Sequence, residues 1–253
     1  MHCYYWSQDD ATGWRNLGDW LTAPILRTFG YTPLAPDPER PCLYACGSIL
    51  HPLHYERSPA SRLVVWGAGV GAIDPMPQTT QVKAVRGPIT RDVLRLPLTT
   101  VLGDPALLAP LIPNIPASPT AGESLYVGHC STTPVVPPGF DAAVTTGGQE
   151  CDMLALLGRI KGAGFVGSES LHGMILAAAF GVPWAPVSVQ GYDLEPISKW
   201  NDWFESCRLP TQKRFLFPHV HVARAWWNRN GRFIRLPDAR RLKDSFPHEI
   251  GVP

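Results

Sequence analysis

The chain has 253 residues, of which 45% are hydrophobic and 17% are charged. These proportions exclude a disordered or fibrous protein and indicate one large or two small globular domains with hydrophobic cores. The formal net charge is +1, which does not indicate a nucleic-acid partner. An anionic substrate would therefore need a local binding site.

The opening stretch MHCYYWSQDD lacks the basic and apolar segments of a signal peptide, and no apolar run reaches the roughly 18 residues that span a bilayer. We therefore expect a cytoplasmic protein. The six cysteines include no Cys-x-x-Cys pair and should be thiols in a reducing compartment. Cys42 and Cys46 are interpreted as core residues rather than zinc ligands. His219 and His221 alternate along a strand-like run and are expected to be exposed, so no metal is predicted.

The first half of the chain alternates predicted strands with predicted helices. Asn16, Gly18 and Asp19 precede a helix predicted over residues 20–29, and they either cap that helix or bind substrate. Gly47 and Ser48 follow the first of four predicted strands. The short apolar runs that predict these strands lie at residues 42–46, 62–66, 81–85 and 100–102. Such alternation predicts a parallel sheet with right-handed crossovers.

A glycine-rich loop and an arginine follow two of these strands. Gly67, Gly69 and Gly71 form a Gly-x-Gly-x-Gly pattern, which differs from the Gly-x-Gly-x-x-Gly fingerprint of dinucleotide-binding proteins. The loop is interpreted as a place where the backbone approaches a ligand other than NAD. Arg86 stands between a strand and a helix that begins near Pro88. It either forms a surface salt bridge or binds a carboxylate or phosphate.

The proline-rich residues 110–122 predict a boundary between domains. The predicted units are residues 1–115 and 122–210, each Rossmann-like, and a basic and aromatic extension over residues 211–253. In the second unit, strands are predicted at residues 124–127, 142–145, 164–166 and 184–189, with a helix at 151–161; the extension ends in a helix at about 237–246. The predicted fold class is α/β, with two parallel-sheet domains and an active site in the cleft between them.

Residues 165–184, FVGSESLHGMILAAAFGVPW, predict a strand, a tight turn and a helix from near Ser170 to Gly181. The turn holds Ser168, Ser170 and His172 at the helix N-terminus, where free N–H groups and the helix dipole attract an anion. A serine in this position also serves simply as an N-cap. Because Ser170 is not flanked by glycines, the stretch departs from the nucleophile elbow of serine hydrolases. We interpret it as an anion cradle in which His172 donates to the anion or relays a proton.

Two later stretches combine aromatic and polar residues. Lys199 and Trp200 begin KWNDWF, whose aromatic rings either stack on a sugar or pack at a domain interface. Residues 213–235 are basic and aromatic. They either form a solvated face or contact anionic lipid head groups or a diphosphate.

Six stretches, in this order, resemble the polysaccharide pyruvyl transferase family, and in particular the ketal pyruvate transferases of exopolysaccharide synthesis such as that of xanthan. They are NLGDWL at 16–21, CGSILH at 46–51, VVWGAGV at 64–70, VKAVRGPITRDVL at 82–94, GDPALLAP at 103–110 and SLHGMILAAAFGVP at 170–183. The resemblance implies a fold similar to GT-B glycosyltransferases. It also implies transfer of a pyruvyl group from phosphoenolpyruvate to two hydroxyls of a sugar, which forms a cyclic ketal. Relatives often carry Arg where this chain has Ser170, whereas the xanthan-type branch is similar in carrying Ser.

The resemblance implies phosphoenolpyruvate as co-substrate and no cofactor. The second expected partner is a sugar acceptor, either free or part of a lipid-linked oligosaccharide met at the inner face of the cytoplasmic membrane. The predicted catalytic residues are His172, Asp19 and Arg86, and the predicted substrate-binding residues are Asn16, Gly18, Gly47, Ser48, Gly67, Gly69, Ser168, Ser170, Lys199 and Trp200. Two alternatives stay open: a GT-B-type glycosyltransferase that uses a nucleotide sugar, and a non-catalytic carbohydrate-binding protein.

Overall fold

Strands and helices alternate through most of the chain in the computed structural model, which describes residues 1–6, 11–58, 60–71, 76–77, 79–133, 135–190 and 198–250. The first half contains β1 (Cys3–Tyr4), β2 (Trp14–Asn16), α1 (Leu17–Trp20), α2 (Thr22–Thr28), β3 (Pro41–Tyr44), α3 (Pro52–Arg57), β4 (Arg62–Trp66), β5 (Gln81–Val85), α4 (Pro88–Val93), β6 (Val101–Leu102) and a 3-10 helix (Pro105–Leu111). The second half contains β7 (Ser124–Gly128), β8 (Ala142–Thr145), β9 (Gly147–Gln149), α5 (Met153–Gly162), β10 (Phe165–Ser168), α6 (Leu171–Ala179), β11 (Trp184–Pro186), α7 (Lys199–Ser206), α8 (Val220–Asn230) and α9 (Ala239–Asp244). Three further 3-10 turns lie at Glu150–Asp152, Gly231–Phe233 and His248–Ile250.

Two parallel sheets form the framework of the chain. The first has the strand order β1-β3-β4-β5-β6, and the second has the order β11-β10-β7-β8. Every neighbouring pair within them is parallel, with Leu43 opposite Val64 in the first sheet and Val166 opposite Leu125 in the second. The predicted α/β class with a parallel sheet in each half is therefore confirmed.

An antiparallel ribbon joins the two halves. β2 pairs with β9, so that Asn16 lies opposite Gly147. The N–H of Leu17, at the start of α1, donates to the carbonyl of Thr146 over 2.7 Å. This ribbon brings the NLGD stretch of the first half to the carboxyl ends of the strands in the second half.

Helix α6 lies in the core between the two sheets. Its residues Leu171–Ala178 are all buried, and its sequence LHGMILAAA carries no Asp, Glu, Lys or Arg. It packs against β10, α5 and the 3-10 helix Pro105–Leu111, which follows the last strand of the first sheet. Because an apolar helix is stable only when covered on all sides, the two halves share one continuous core.

The last part of the chain packs on both halves. α8 packs on β11, while α9 packs on β6 and on the 3-10 helix Pro105–Leu111. The indole Nε1–H of Trp66 donates to the carbonyl of Leu242 over 3.0 Å. The two sheets divide the chain between β6 and β7, and the three predicted domain limits stay predictions.

Most predicted elements are present with ends shifted by a few residues, and one interpretation is wrong. Residues 219–221 are not strand-like: His219 is the N-cap of α8, and its imidazole accepts the N–H of His221 over 3.2 Å. Val220, Ala223 and Trp226 recur at helical spacing and are buried. That spacing buries one face of a helix, which a strand could not do.

The cysteines are all free thiols, with Cys42 and Cys46 fully buried. Both are core residues, as expected. Within the described ranges, no three His, Cys, Asp or Glu side chains are grouped so that they could hold a metal ion. None of the helices seen in those ranges is both long and apolar enough to cross a membrane.

Candidate active site

A cavity of about 200 Å³ lies at the carboxyl ends of both sheets. Its walls come from the end of β2, from the segments that follow β1, β2, β3, β7, β8 and β10, and from residues of α3 and α7. The lining residues are Trp6, Asn16, Asp19, Gly47, Ser48, Ile49, His54, His129, Thr146, Ser170, Leu171, His172 and Lys199. In open α/β sheets, ligands bind at these strand ends, so the cavity is the candidate site.

Asp19 lies on α1 with its carboxylate in the cavity wall. Burial raises its pKa to about 7, the charges of His172 and Lys199 oppose that rise, and Asp104 adds to it. Gly47 has a φ of +102° and lies so close that a Cβ there would meet Oδ1 of Asp19. Asn16 caps α1 by accepting the N–H of Gly18 over 3.0 Å. A carboxyl with a pKa near neutrality can give or take a proton at physiological pH.

His172 occupies the first turn of α6 and is almost completely buried. Its imidazole lies against the Cα of Gly18, where any Cβ would overlap the ring. On the other side, Nε2 of His172 lies 3.6 Å from Oδ2 of Asp104. Asp104 follows β6 and caps the next 3-10 helix by accepting the N–H of Ala106 over 2.9 Å. The histidine of one half is thus held between a glycine and a carboxylate of the other half.

The turn before α6 is held by its own side chains. Ser168 is buried, and its Oγ lies 2.9 Å from the carbonyl of Val127 and accepts the N–H of Ser170 over 3.0 Å. Burial alone would raise the pKa of Glu169, but hydrogen bonds, led by that from the N–H of His129, outweigh burial and lower it. Ser168 therefore shapes the turn, while Ser170 and His172 reach the cavity.

Ser170 is the N-cap residue of α6, and its side chain makes no capping hydrogen bond. The backbone N–H groups of the first turn of a helix have no partner within the helix and carry its positive dipole end. The cavity is lined by Ser170, Leu171 and His172 of this turn. The N-terminus of α6 therefore lies at the cavity, and its use as an anion cradle stays a prediction.

Lys199 supplies a cation to the same cavity. It is the first residue of α7, whose N-cap Ser198 accepts the N–H of Asn201 over 3.2 Å. Burial lowers its pKa, Arg86 lowers it further, and Asp19 and Cys130 act in the opposite direction. Its Nζ lies 4.7 Å from the ring centroid of Trp200. A half-buried ammonium group that lines this cavity is suited to a phosphate or carboxylate.

Arg86 lies behind the cavity wall rather than in the cavity. Its side chain is fully buried, with Nε 3.1 Å from Oδ2 of Asp202 and Nη1 donating to Oγ of Ser48 over 2.9 Å. Asp202 also accepts the N–H and the hydroxyl of Thr90. The salt bridge of Arg86 is therefore buried rather than at the surface, and a carboxylate on α7 rather than a free anion takes its charge. Arg86 holds Ser48, which does line the cavity.

Apart from Arg86 and Ser168, four predicted residues lie outside the cavity lining: Gly18, which packs on His172, and Gly67, Gly69 and Trp200. Gly67 packs on Pro105, and Gly69 lies against the guanidinium of Arg86. Trp200 is buried, with its ring 5.2 Å from that of Phe215. Of the two interpretations of KWNDWF, packing at an interface fits Trp200, because its ring is buried against other core residues and is not open to a sugar.

Sequence reasoning missed several residues of the site. Asp104 stands just after the strand predicted at residues 100–102. A carboxylate at the end of a strand is the signal by which it could have been predicted as a site residue. Thr146 is buried, and its hydroxyl has no hydrogen-bond partner among the described residues. Trp6 is 39% exposed at the cavity and packs edge-on against Trp14. No local pattern marks Thr146 or Trp6, since only the tertiary structure brings them to the cavity that Asp19 lines.

No known protein-family model matches the chain. The chain is 25% identical over 222 residues to the "Succinoglycan biosynthesis protein ExoV" of Rhizobium meliloti (strain 1021), a match that covers 85% of this chain and 67% of that protein. This similarity supports the resemblance to the pyruvyl transferase family. A functionally uncharacterised protein of Klebsiella pneumoniae, KP1_0663, superposes with a TM-score of 0.49 and 16% identity, over 80% of this chain and 88% of the other.

Proposed function

We propose that this chain is a pyruvyl transferase that forms a cyclic pyruvate ketal on a sugar in exopolysaccharide synthesis, with phosphoenolpyruvate as the donor. The observation that carries the proposal is one small cavity that combines anion-binding groups with an acid–base pair. The N-terminus of α6 and Lys199 supply the anion-binding groups, and Asp19 and His172 form the acid–base pair. The similarity to a succinoglycan biosynthesis protein supports a role in exopolysaccharide synthesis.

The donor side of the proposal rests on charge and size. Phosphoenolpyruvate carries a phosphate and a carboxylate, so it needs a cation and oriented N–H donors. Lys199, the first turn of α6 and the hydroxyls of Ser48 and Ser170 are such groups. The volume of about 200 Å³ is below the roughly 300 Å³ at which pockets for drug-sized ligands begin. A three-carbon phosphate suits this volume better than a nucleotide sugar.

The reaction needs one proton donor and one proton acceptor. A proton is added to the methylene carbon of the enol, a sugar hydroxyl attacks the adjacent carbon, the bond from that carbon to the phosphate oxygen breaks, and the second hydroxyl closes the ketal. One hydroxyl proton balances the new methyl group and the other leaves with phosphate. We assign the proton transfer at the donor to His172 and the deprotonation of the acceptor hydroxyl to Asp19, whose pKa of about 7 suits a base at neutral pH.

The acceptor side of the proposal uses Trp6. An exposed indole at a polar cavity offers an apolar surface to the C–H face of a sugar ring. Trp6 lines the same cavity as Asp19, so a sugar on this ring would bring its hydroxyls toward the base. We therefore assign to Trp6 the sugar-stacking role that the sequence had suggested for Trp200.

Turnover with labelled phosphoenolpyruvate tests the proposal. The purified chain is incubated with the donor and candidate oligosaccharides, and both phosphate release and labelled ketal are measured. We expect equal amounts of the two products with the correct acceptor, and a loss of both in His172→Ala. Phosphate release without labelled saccharide would indicate hydrolysis instead and would reject the assignment.

A thermal-shift comparison separates the two open alternatives. Because a ligand that binds only the folded state raises Tm, phosphoenolpyruvate should raise it and UDP or GDP should not. The reverse result would favour a glycosyltransferase that uses a nucleotide sugar. A rise with saccharides alone, without turnover, would favour a carbohydrate-binding protein.

The membrane part of the proposal concerns α8 and the residues after it. Arg229, Arg232 and Phe233 are exposed, and the guanidinium of Arg232 lies over the ring of Phe233. Basic side chains beside an exposed aromatic ring suit the surface of a bilayer with anionic lipids. A lipid-linked acceptor would be met at such a surface.

A further inference from the structure

Two buried polar atoms face each other behind the candidate active site. Nε2 of His172 and Oδ2 of Asp104 are both fully buried, and neither has a hydrogen-bond partner in the described part of the chain. They lie 3.6 Å apart. Because an unpaired buried polar atom is costly and catalytic hydrogen bonds are often long in unliganded proteins, each atom is the natural partner of the other.

The two nitrogens of His172 have different surroundings. Nε2 is buried and faces Asp104, yet the residue also lines the cavity. Nδ1, which lies on the Gly18 side of the ring, is then the nitrogen left to serve the cavity. The missing side chain of Gly18 leaves room for this face of the ring, since a Cβ at that position would overlap Nδ1. A 180° flip of the ring would put Cε1 in the place of Nε2, leave a carbon opposite the carboxylate and remove this arrangement.

We propose that Asp104 is a positioning residue: it keeps the proton of neutral His172 on Nε2 and thereby makes Nδ1 the atom that exchanges protons with substrate. A neutral imidazole has one N–H and one acceptor nitrogen, and the partner of the N–H decides which is which. Asp104 also stabilises the imidazolium that forms when Nδ1 takes a proton. The choice of tautomer by Asp104 does not depend on the proposed function. The effect of that choice on turnover does rest on the proposed function.

Several other charged or titratable groups surround this pair. Asp19 of α1 interacts electrostatically with both His172 and Asp104, and Lys199 of α7 acts on Asp19. Cys46, after β3, is buried near Asp104, and that burial raises the pKa of its thiol. Within α6 itself, no other residue is charged. Of these groups, Asp104 is the one whose carboxylate is found within 4 Å of Nε2 among the described residues.

Asp104→Asn is the sharpest variant because it removes the charge and keeps the cap. Asn is as good an N-cap as Asp, so the hydrogen bond from the N–H of Ala106 can persist and the chain should fold. Asp238→Asn is the matched control, since Asp238 caps α9 through the N–H groups of Arg240 and Arg241. Asp238 is exposed and lies outside the cavity lining.

The tautomer is measured by ¹⁵N NMR on histidine-labelled protein, with His172→Ala used to assign the signal. We expect neutral His172 to carry its proton on Nε2, and Asp104→Asn to change that preference. A proton on Nδ1 in the unchanged chain, or spectra identical in both proteins, would overturn the proposal even if turnover were never detected.

Turnover supplies the second measurement. Asp104→Asn should lower kcat by about 10²–10⁴-fold, the usual size of an acid–base contribution, and leave the KM for phosphoenolpyruvate within about threefold. Combined with His172→Ala, it should add no further loss, because both changes act through one imidazole. Additive losses, or a loss equal to that of Asp238→Asn, would contradict the positioning role. If His172→Ala itself keeps full activity, the proposed function fails instead.

Discussion

The guanidinium of Arg86 and the carboxylate of Asp202 form an ion pair of 3.1 Å, with both side chains fully buried, between the first sheet and α7. Removing either partner leaves an uncompensated charge in the core. Asp202→Ala should lower the free energy of unfolding by about 3–5 kcal/mol, and Arg86→Ala should do the same. Urea denaturation monitored by circular dichroism measures the change.

Glu205→Ala is the control for this pair, because Glu205 lies on the same helix, is partly exposed and forms no ion pair among the described salt bridges. It should change stability by less than about 0.5 kcal/mol. A stable but inactive Arg86→Ala would instead return Arg86 to the catalytic role implied by the resemblance.

Gly18→Ala should displace the imidazole of His172, because a Cβ there overlaps the ring. We expect kcat to fall by at least about 10²-fold, since the loss is that of a misplaced acid–base group. Steady-state kinetics and a melting curve measure activity and folding. Gly148→Ala is the matched control, as its Cβ would meet only the flexible end of Met153. Equal activity in Gly18→Ala would show that His172 does not act from this position.

Asp19 makes stability depend on pH. Its folded pKa of about 7 lies above the ordinary value of 3.8, so the folded state holds the proton more tightly. The contribution of Asp19 to the free energy of unfolding should be complete below pH 4 and should decline as the pH rises from 4 to 7. The total loss is about 1.4 kcal/mol for each unit by which the folded pKa exceeds the unfolded pKa. Asp19→Asn should flatten this decline and raise Tm at pH 8 while abolishing turnover. An unchanged decline in Asp19→Asn would assign it to another group.

Lys199→Met removes the ammonium group from the cavity and keeps much of the apolar stem. The KM for phosphoenolpyruvate should rise by about 10–100-fold, the usual cost of one charge-assisted hydrogen bond, with the acceptor KM nearly unchanged. Initial rates at varied donor and acceptor concentrations measure both. Lys161→Met on the exposed side of α5 is the control. A rise confined to the acceptor KM would place Lys199 on the sugar side.

Arg229 and Arg232 should contribute to binding of anionic vesicles. Each basic residue near such a surface contributes about 1 kcal/mol, so the double change to alanine should weaken binding about 30-fold. Sedimentation with phosphatidylglycerol vesicles at low and high salt measures this, with phosphatidylcholine vesicles as control. Binding that is indifferent to salt and to both changes would remove the membrane part of the proposal.

Much of the sheet framework follows from local pattern. The apolar runs at residues 62–66, 81–85 and 142–145 are strands with the predicted limits, and the α6 helix begins after Ser170 as its turn chemistry indicates. Short strands with Gly or Pro beyond their ends have the period and the boundaries that sequence reasoning detects. Helix α8 was missed because its polar face interrupts the apolar run that signals a helix, and His219 was taken for part of a strand.

The chain's own sequence determined the α/β class and the strand ends where the anion cradle and most of the cavity residues lie. Only the tertiary structure decided which of those residues meet. It buried Arg86 against Asp202, placed Asp104 behind His172 and brought Trp6 to the cavity. The physical reason is that strand and helix periods are local properties of the backbone. The charge and exposure of a side chain depend instead on partners that lie 68 residues away for Asp104 and 116 residues away for Arg86.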